Sequence, residues 1–331
     1  MTRAHLGHAR VLHAAGLCRA AGKAVAEAWL RAEFEAVDAV KADAERPLAR
    51  AYADLLDRQR DAVMDALPGA LASVRSLKQE DDPEVVGALL LSVADWLDDI
   101  EAEFGPLVAD ALEEGFLTGA LRLGAGDLQP DVTDGARAVL SEVVSRIQGT
   151  TATTQAEVGR IIVAGIEAGD TVTEIADALG AKFDDWKAWR AELVAEDVTQ
   201  AVFERGQVEA YRAGGVDRKR WLTQRDSEVR ETHVAADGQE VGLDEPFVVG
   251  GYECDHPGDP VLPASESIRC RCSSLPVTTE KKAPTWRDER DAAIRAAYPA
   301  LRDAEGQTGA LATLAERHSV SERTVRRALW E

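Results

Sequence analysis

His233, Cys254, His256, Cys270 and Cys272 crowd into one short stretch that holds three of the chain's four cysteines. Thiolate and imidazole are the ligands that tetrahedral Zn²⁺ prefers. A small loop-rich segment gains stability when a metal ties its loops together. Cys254-x-His256 and Cys270-x-Cys272 place candidate ligands two residues apart, on one face of an extended strand. Three readings of these side chains stay open. They hold a structural zinc; or the thiols are small buried apolar groups, with His233 bonded to a backbone carbonyl; or two of the cysteines form a disulfide.

Asp226, Glu228, Arg230 and His233 are also close together in the sequence. Histidine beside acids and arginine is a vocabulary for general acid–base chemistry. No nucleophile motif and no phosphate-cradling glycine loop accompanies them. An enzyme centred on Arg230 and His233, a nuclease or transferase, is therefore the weakest of three functional readings, and the expectation is a protein without catalysis. Asp237-Gly238 reads as a tight turn. Pro257-Gly258-Asp259-Pro260 reads as an irregular loop, and Arg269 and Arg271 as partners of local carboxylates.

The elements that would position these residues are mostly helices. Residues 1 to about 77 show three- and four-residue apolar spacing, for example Trp29, Leu30, Phe34, Val37 and Val40. Pro47 permits a break, and Pro68-Gly69 punctuates the stripe. A charged linker (76–84) precedes a helix over Val85–Phe104 that Gly105-Pro106 interrupts before 107–123 resumes it. After a loop at 124–131, helices are expected over 133–148 and 155–168, with the Thr-rich 149–154 between them. Thr171 and Glu174 form a T-x-x-E capping box, Gly180 is a helix end, and 184–213 is a long helix closed by Gly214-Gly215. From Val216 the pattern changes: Arg220–Thr223, Gln239–Val241 and Phe247–Val249 read as short strands separated by turns. The fold class is mainly α, with a long helical N-terminal body, a small irregular α+β part at 216–277 and a trihelical C-terminal domain.

An ordered set of residues carries a resemblance. Trp221, Asp226, Arg230, His233, Asp237, Gly238 and Gln239 are followed by Phe247, a Pro257-Gly258-Asp259 loop, and Cys270-Arg271-Cys272 before a Leu-Pro exit. The helix 192–216, with Gly206, Tyr211 and Gly215, leads into them. This order resembles the phage Mu protein-F-like, head morphogenesis (minor capsid) family over about 135–277; residues 1–134 share only its helical style. Two departures stand out. Arg269 occupies a position where many relatives have Asn or His, and no C-x-x-C lies near Arg230–His233. The resemblance implies a structural virion protein of a tailed phage or prophage, made in the bacterial host cytoplasm. It would act at or near the portal in head assembly, DNA packaging or genome delivery, with portal, capsid and scaffold proteins as partners.

Residues 278–285 read as a linker and 286–331 as a helix-turn-helix-like domain. Leu311, Leu314 and Ala315 would face its core, and Ser321 would cap a helix with Val325, Ala328 and Leu329. That last helix would offer Arg323, Thr324, Arg326 and Arg327 to duplex DNA. A DNA-binding protein that acts through this tail is the second functional reading.

Charge separates the two parts. The whole chain carries −21. Residues 280–331 hold ten Lys+Arg and nine Asp+Glu, a net of +1, which leaves −22 on the first 279. A body of that charge does not coat nucleic acid, so its partners are expected to be proteins. No apolar run approaches the ~20 residues needed to span a bilayer, so no membrane partner is expected; without a catalytic motif, no small-molecule substrate is expected either. No signal peptide is read at the N-terminus.

Overall fold

The computed structural model describes residues 23–77, 82–126, 128–130, 135–277, 286–318 and 320–330. Residues 1–22, part of the stretch expected to be helical, and the linker at 278–285 lie outside them. The chain forms two compact units that divide after Val277.

The first unit is a bundle of long helices carrying a small α+β segment. Helix α1 runs over Lys23–Leu77 with Pro47 and Pro68 inside it. The expected punctuation at Pro68-Gly69 does not occur. A proline in a helix interior costs about 3 kcal/mol. Here buried residues flank both prolines, Val37 and Leu48 around Pro47 and Leu67 and Leu71 around Pro68, and their packing offsets that cost. Helix α2 (Pro83–Leu90) starts on an Asp82 cap and stops where Leu91 turns extended. The single helix expected over Val85–Phe104 is thus broken early, and a 3₁₀ turn at Val93–Trp96 leads into α3 (Leu97–Leu123). Gly105-Pro106 lies inside α3 and does not interrupt it, because Phe104 and Val108 on either side are buried in the bundle core.

Helix α4 (Gly135–Ala168) also replaces two expected helices. Threonine disfavours helix when its hydroxyl competes for backbone. Here Thr150, Thr151, Thr153 and Thr154 instead donate to carbonyls three or four residues back in the same helix. Helix α5 (Val172–Ala213) opens on the Thr171–Glu174 capping box and ends at Gly214. Gly180 is interior, not an end.

Helices α3 and α5 cross at glycines. A Cβ on Gly115 would lie 2.2 Å from the Phe203 carbonyl oxygen, and one on Gly206 would lie 2.2 Å from the Leu112 carbonyl oxygen. The two backbones touch there, and no side chain fits between them.

Beyond α5 come β1 (Arg218–Leu222), α6 (Glu231–Ala236), β2 (Glu240–Gly242), β3 (Phe247–Val249), β4 (Tyr252–Cys254), α7 (Ala264–Ser267) and β5 (Ser273–Val277). Strand β1 is central in an antiparallel sheet of order β2-β1-β5, with Trp221 opposite Ser274. Strands β3 and β4 pair as a hairpin, turned by Gly250 and Gly251 at φ 59° and 88°. Trp221, Ala236, Phe247, Val249, Cys254, Leu262, Cys270 and Cys272 form the small core between these pieces.

The second unit has α8 (Trp286–Arg317), kinked at Gly306, and α9 (Glu322–Trp330). Ile294, Leu311, Leu314 and Val325 are its buried core, with Ala315 and Leu329 packed against them. Ser321 accepts a hydrogen bond from the Thr324 amide through its hydroxyl, at 3.3 Å.

Candidate functional site

The motif residues of the α+β segment spend their polar atoms on one another and on backbone. Asp237 accepts from the Thr223 amide at 2.9 Å and hydroxyl at 3.1 Å, and its other oxygen pairs with Arg225 at 3.0 Å. Gly238, at φ 82°, makes the turn after it. The Gln239 amide acts as a strand edge: it donates to the Val248 carbonyl at 3.1 Å and accepts from the Val248 N–H at 2.8 Å. Asp259 ties its own loop by accepting from the Asp255 and Val261 amides at 2.7 and 3.0 Å. Gly258, at φ 73°, passes so close to Gln200 that a Cβ would lie 2.5 Å from the Gln200 Cγ.

The charged candidates are paired as well. Asp226 takes a forked pair of bonds from Arg271 at 2.8 and 2.9 Å, and Arg271 also reaches Glu228. The Arg271 hydrogen bond holds the Asp226 carboxyl below its ordinary range. Arg230 donates to the Ile268 carbonyl. Asp226, Glu228 and Arg230 are thus each engaged by a partner other than His233. They brace the loops that precede and follow the Cys-Arg-Cys stretch.

His233 faces the cysteines instead. Its Nδ1 lies 3.3 Å from Cys272 Sγ and 3.8 Å from Cys270 Sγ. Its Nε2 lies 3.2 Å from Glu266 Oε2. The ring packs edge-on against Trp221, with centroids 5.6 Å apart. Cys272 and His233 together draw the Cys270 thiol below its ordinary range, while hydrogen bonding to Cys270 and burial push Cys272 up. Of the five candidate ligands, the fold brings together only His233, Cys270 and Cys272. Cys254 is buried at the end of β4, and burial pushes its thiol up to about 12. The His256 Nδ1 sits 3.1 Å from the Pro257 carbonyl oxygen.

A cavity of about 640 Å³ opens beside this cluster, lined by Cys270, Lys41, Gln200, Arg230, Arg271 and acids that include Asp38 and Glu45. Its charges are mixed. Burial raises both of those carboxyl groups above their usual range.

Residues that the sequence pattern does not single out, together with Tyr211 of the lead-in helix, attach the segment to the bundle. One face of α5 carries Gln200, Glu204, Gln207 and Tyr211, all buried. Gln200 donates to the Cys272 carbonyl at 2.8 Å. Glu204 accepts from the Ser274 amide and hydroxyl. Tyr211 donates to the Ser274 carbonyl at 3.0 Å. Arg122 of α3, its side chain buried, reaches Glu33 at 2.7 Å, Tyr211 at 3.1 Å, the Ser274 carbonyl at 3.0 Å and the Gln207 side chain. The available signal was four long polar side chains at intervals of four, three and four along an otherwise apolar helix face.

In the tail, Thr324 is half-buried and Arg326 is exposed beside Glu322 at 3.5 Å. The side chains of Arg323 and Arg327 lie outside the described residues.

Residues 156–275 match the model of a family described as phage Mu protein F like protein. A Bacillus subtilis (strain 168) protein, the uncharacterized protein YqbB, is 26% identical over 252 residues, which cover 70% of this chain and 78% of that one. An Enterococcus faecalis (strain ATCC 700802 / V583) protein, NAD(+)--arginine ADP-ribosyltransferase EFV, is 33% identical over 119 residues. That match takes in 35% of this chain but spans only 24% of the transferase. No solved structure matches the chain.

Proposed function

With residues 156–275 a phage Mu protein F-like region, we propose that this chain is a minor head protein of a tailed phage or prophage, bound at or near the portal during head assembly, DNA packaging or genome delivery. The observation that supports this reading best is the use made of the motif residues. Asp226, Asp237, Gln239, Asp259 and Arg271 close turns and brace strands, as in a docking module and unlike an active site, which keeps a reacting group free. The body's net charge of −22 suits basic protein surfaces better than packaged DNA. Among the described residues no helix is long and apolar enough to cross a membrane. The similarity to the ADP-ribosyltransferase covers too little of that protein to bring its activity here.

The test is genetic and structural together. A nonsense mutation in the coding gene should leave heads that are misassembled, unfilled or non-infectious, and the intact gene supplied in trans should restore them. Normal titre and normal heads without the protein would reject the proposal.

The tail supports a second role. Its helix α9 carries Arg323, Thr324, Arg326 and Arg327, and residues 280–331 have a net charge of +1 against −22 for residues 1–279. Contact with duplex DNA through 286–331 is the proposed use of this unit.

A further inference from the structure

The geometry around His233 is that of a ligand set. For Zn–S near 2.3 Å and Zn–N near 2.0–2.1 Å, a tetrahedral ion separates nitrogen from sulfur by about 3.5 Å. His233 Nδ1 lies 3.3 and 3.8 Å from the two sulfurs, and the three atoms all fall within 4.8 Å of one another. All three residues are buried, His233 at 1% exposure, Cys270 at 4% and Cys272 at 2%. Apolar packing alone gives no reason for two sulfurs to converge on one ring nitrogen.

The other side of the ring carries independent support. Metal-binding histidines hold their second nitrogen against a carboxylate, which fixes the tautomer and the ring orientation. His233 Nε2 is buried and makes no aligned hydrogen bond, yet Glu266 Oε2 lies 3.2 Å away. Glu266 is fixed in turn by the Thr232 hydroxyl at 2.8 Å. A proton on Nε2 leaves the Nδ1 lone pair aimed at the sulfurs. The Trp221 ring packs edge-on against the same imidazole and holds its plane. Cys270 also lines the adjacent cavity, so the cluster lies at the edge of open space.

We propose that His233 Nδ1, Cys270 Sγ and Cys272 Sγ bind one zinc ion that ties α6 to the strand β5 approach, with Glu266 as the positioning residue for the imidazole. On binding, each thiol gives its proton to solvent and the thiolate donates to the metal. Cys254 and His256 take no part. The site is independent of the head-protein reading: it concerns what holds this segment together, whatever the segment docks on.

The experiment is metal analysis of the purified full-length chain after loading with zinc and desalting, followed by cobalt substitution. The expected result is one metal per chain, with thiolate-to-cobalt charge transfer and the visible bands of a four-coordinate site. His233→Ala, Cys270→Ser and Cys272→Ser should each lose the metal, and Cys254→Ser should keep it. Glu266→Gln should weaken zinc binding about 10–100-fold while the chain stays folded. A folded wild-type chain that retains no zinc would overturn the proposal. So would equal metal loss in Cys254→Ser, or a Cys270–Cys272 disulfide in peptide maps of the freshly purified protein.

Discussion

Glu204 Oε2 accepts two hydrogen bonds from Ser274, one from its amide at 2.8 Å and one from its hydroxyl at 3.0 Å. A buried carboxylate on the last long helix of the bundle thereby grips the first residues of the strand that follows Cys272. Lys41 supplies the countercharge from α1, 3.4 Å from Oε1, and Gln207 donates to the same oxygen at 2.9 Å. Removing one member of a buried, paired set costs more than a single neutral hydrogen bond. Glu204→Ala should therefore destabilise the chain by about 3–5 kcal/mol, and Ser274→Ala by about 1 kcal/mol. Denaturant unfolding of the three proteins checks the order. Equal, small effects would mean that the grip is not the attachment.

The glycine crossing gives a second prediction. Gly206→Ala places a methyl group 2.2 Å from the Leu112 carbonyl oxygen, so α3 and α5 must move apart. Overpacking of this kind costs about 1–3 kcal/mol, although alanine is the better helix former by about 1 kcal/mol. Gly180→Ala, with its nearest neighbour 3.7 Å away at the Met64 methyl, should be neutral or stabilising. Thermal melts of the pair test this: a Gly206→Ala protein as stable as the wild type would refute the close crossing.

Tyr211 sets an alkaline limit on stability. Burial is the main cause that pushes its hydroxyl from 10.0 up to about 12. Below pH 10 both folded and unfolded chains keep the proton, and Tyr211 adds no pH dependence. Between pH 10 and about 12 only the unfolded chain releases it, so stability falls as pH rises, by about 1.4 kcal/mol per unit. Tyr211→Phe should be less stable at pH 8, having lost the bond to the Ser274 carbonyl, yet show a shallower decline above pH 10. Parallel slopes in the two proteins would contradict the assignment.

The tail makes a separate prediction. The full-length chain should retard duplex DNA weakly, with affinity that falls as salt rises. Arg326→Ala, which removes an exposed cation from α9, should weaken binding at every sequence tested. A gel-shift titration with no retardation at low salt, or retardation indifferent to salt, would assign α9 to packing or protein contact.

The helical body was legible because apolar periodicity marks it, and the capping box at Thr171 and Glu174 was read correctly to the residue. Helix ends were less legible. Pro68, Pro106, Gly180 and the threonines between Thr150 and Thr154 carry local signals for breaks, and burial of the stripes on either side overrides each one. Strand β3 falls at Phe247–Val249, where the flanking turns predict it. The cluster of His233 with Cys270 and Cys272 was visible only as part of a larger set. Sequence spacing cannot tell that β4 carries Cys254 away from the ring, or that Glu266 in a four-residue helix comes up behind it. The α5 polar face went unread because Gln200, Glu204 and Gln207 look like ordinary solvent-facing residues until the strand that covers them is known.

Quantitative mass spectrometry of gradient-purified heads and virions, from an induced lysate of the strain that encodes the chain, decides whether the proposed head role holds. A minor head protein is present in both particles, at low copy number and in a fixed ratio to the portal protein. Absence from heads and virions alike, with the protein abundant in the soluble lysate, would contradict it.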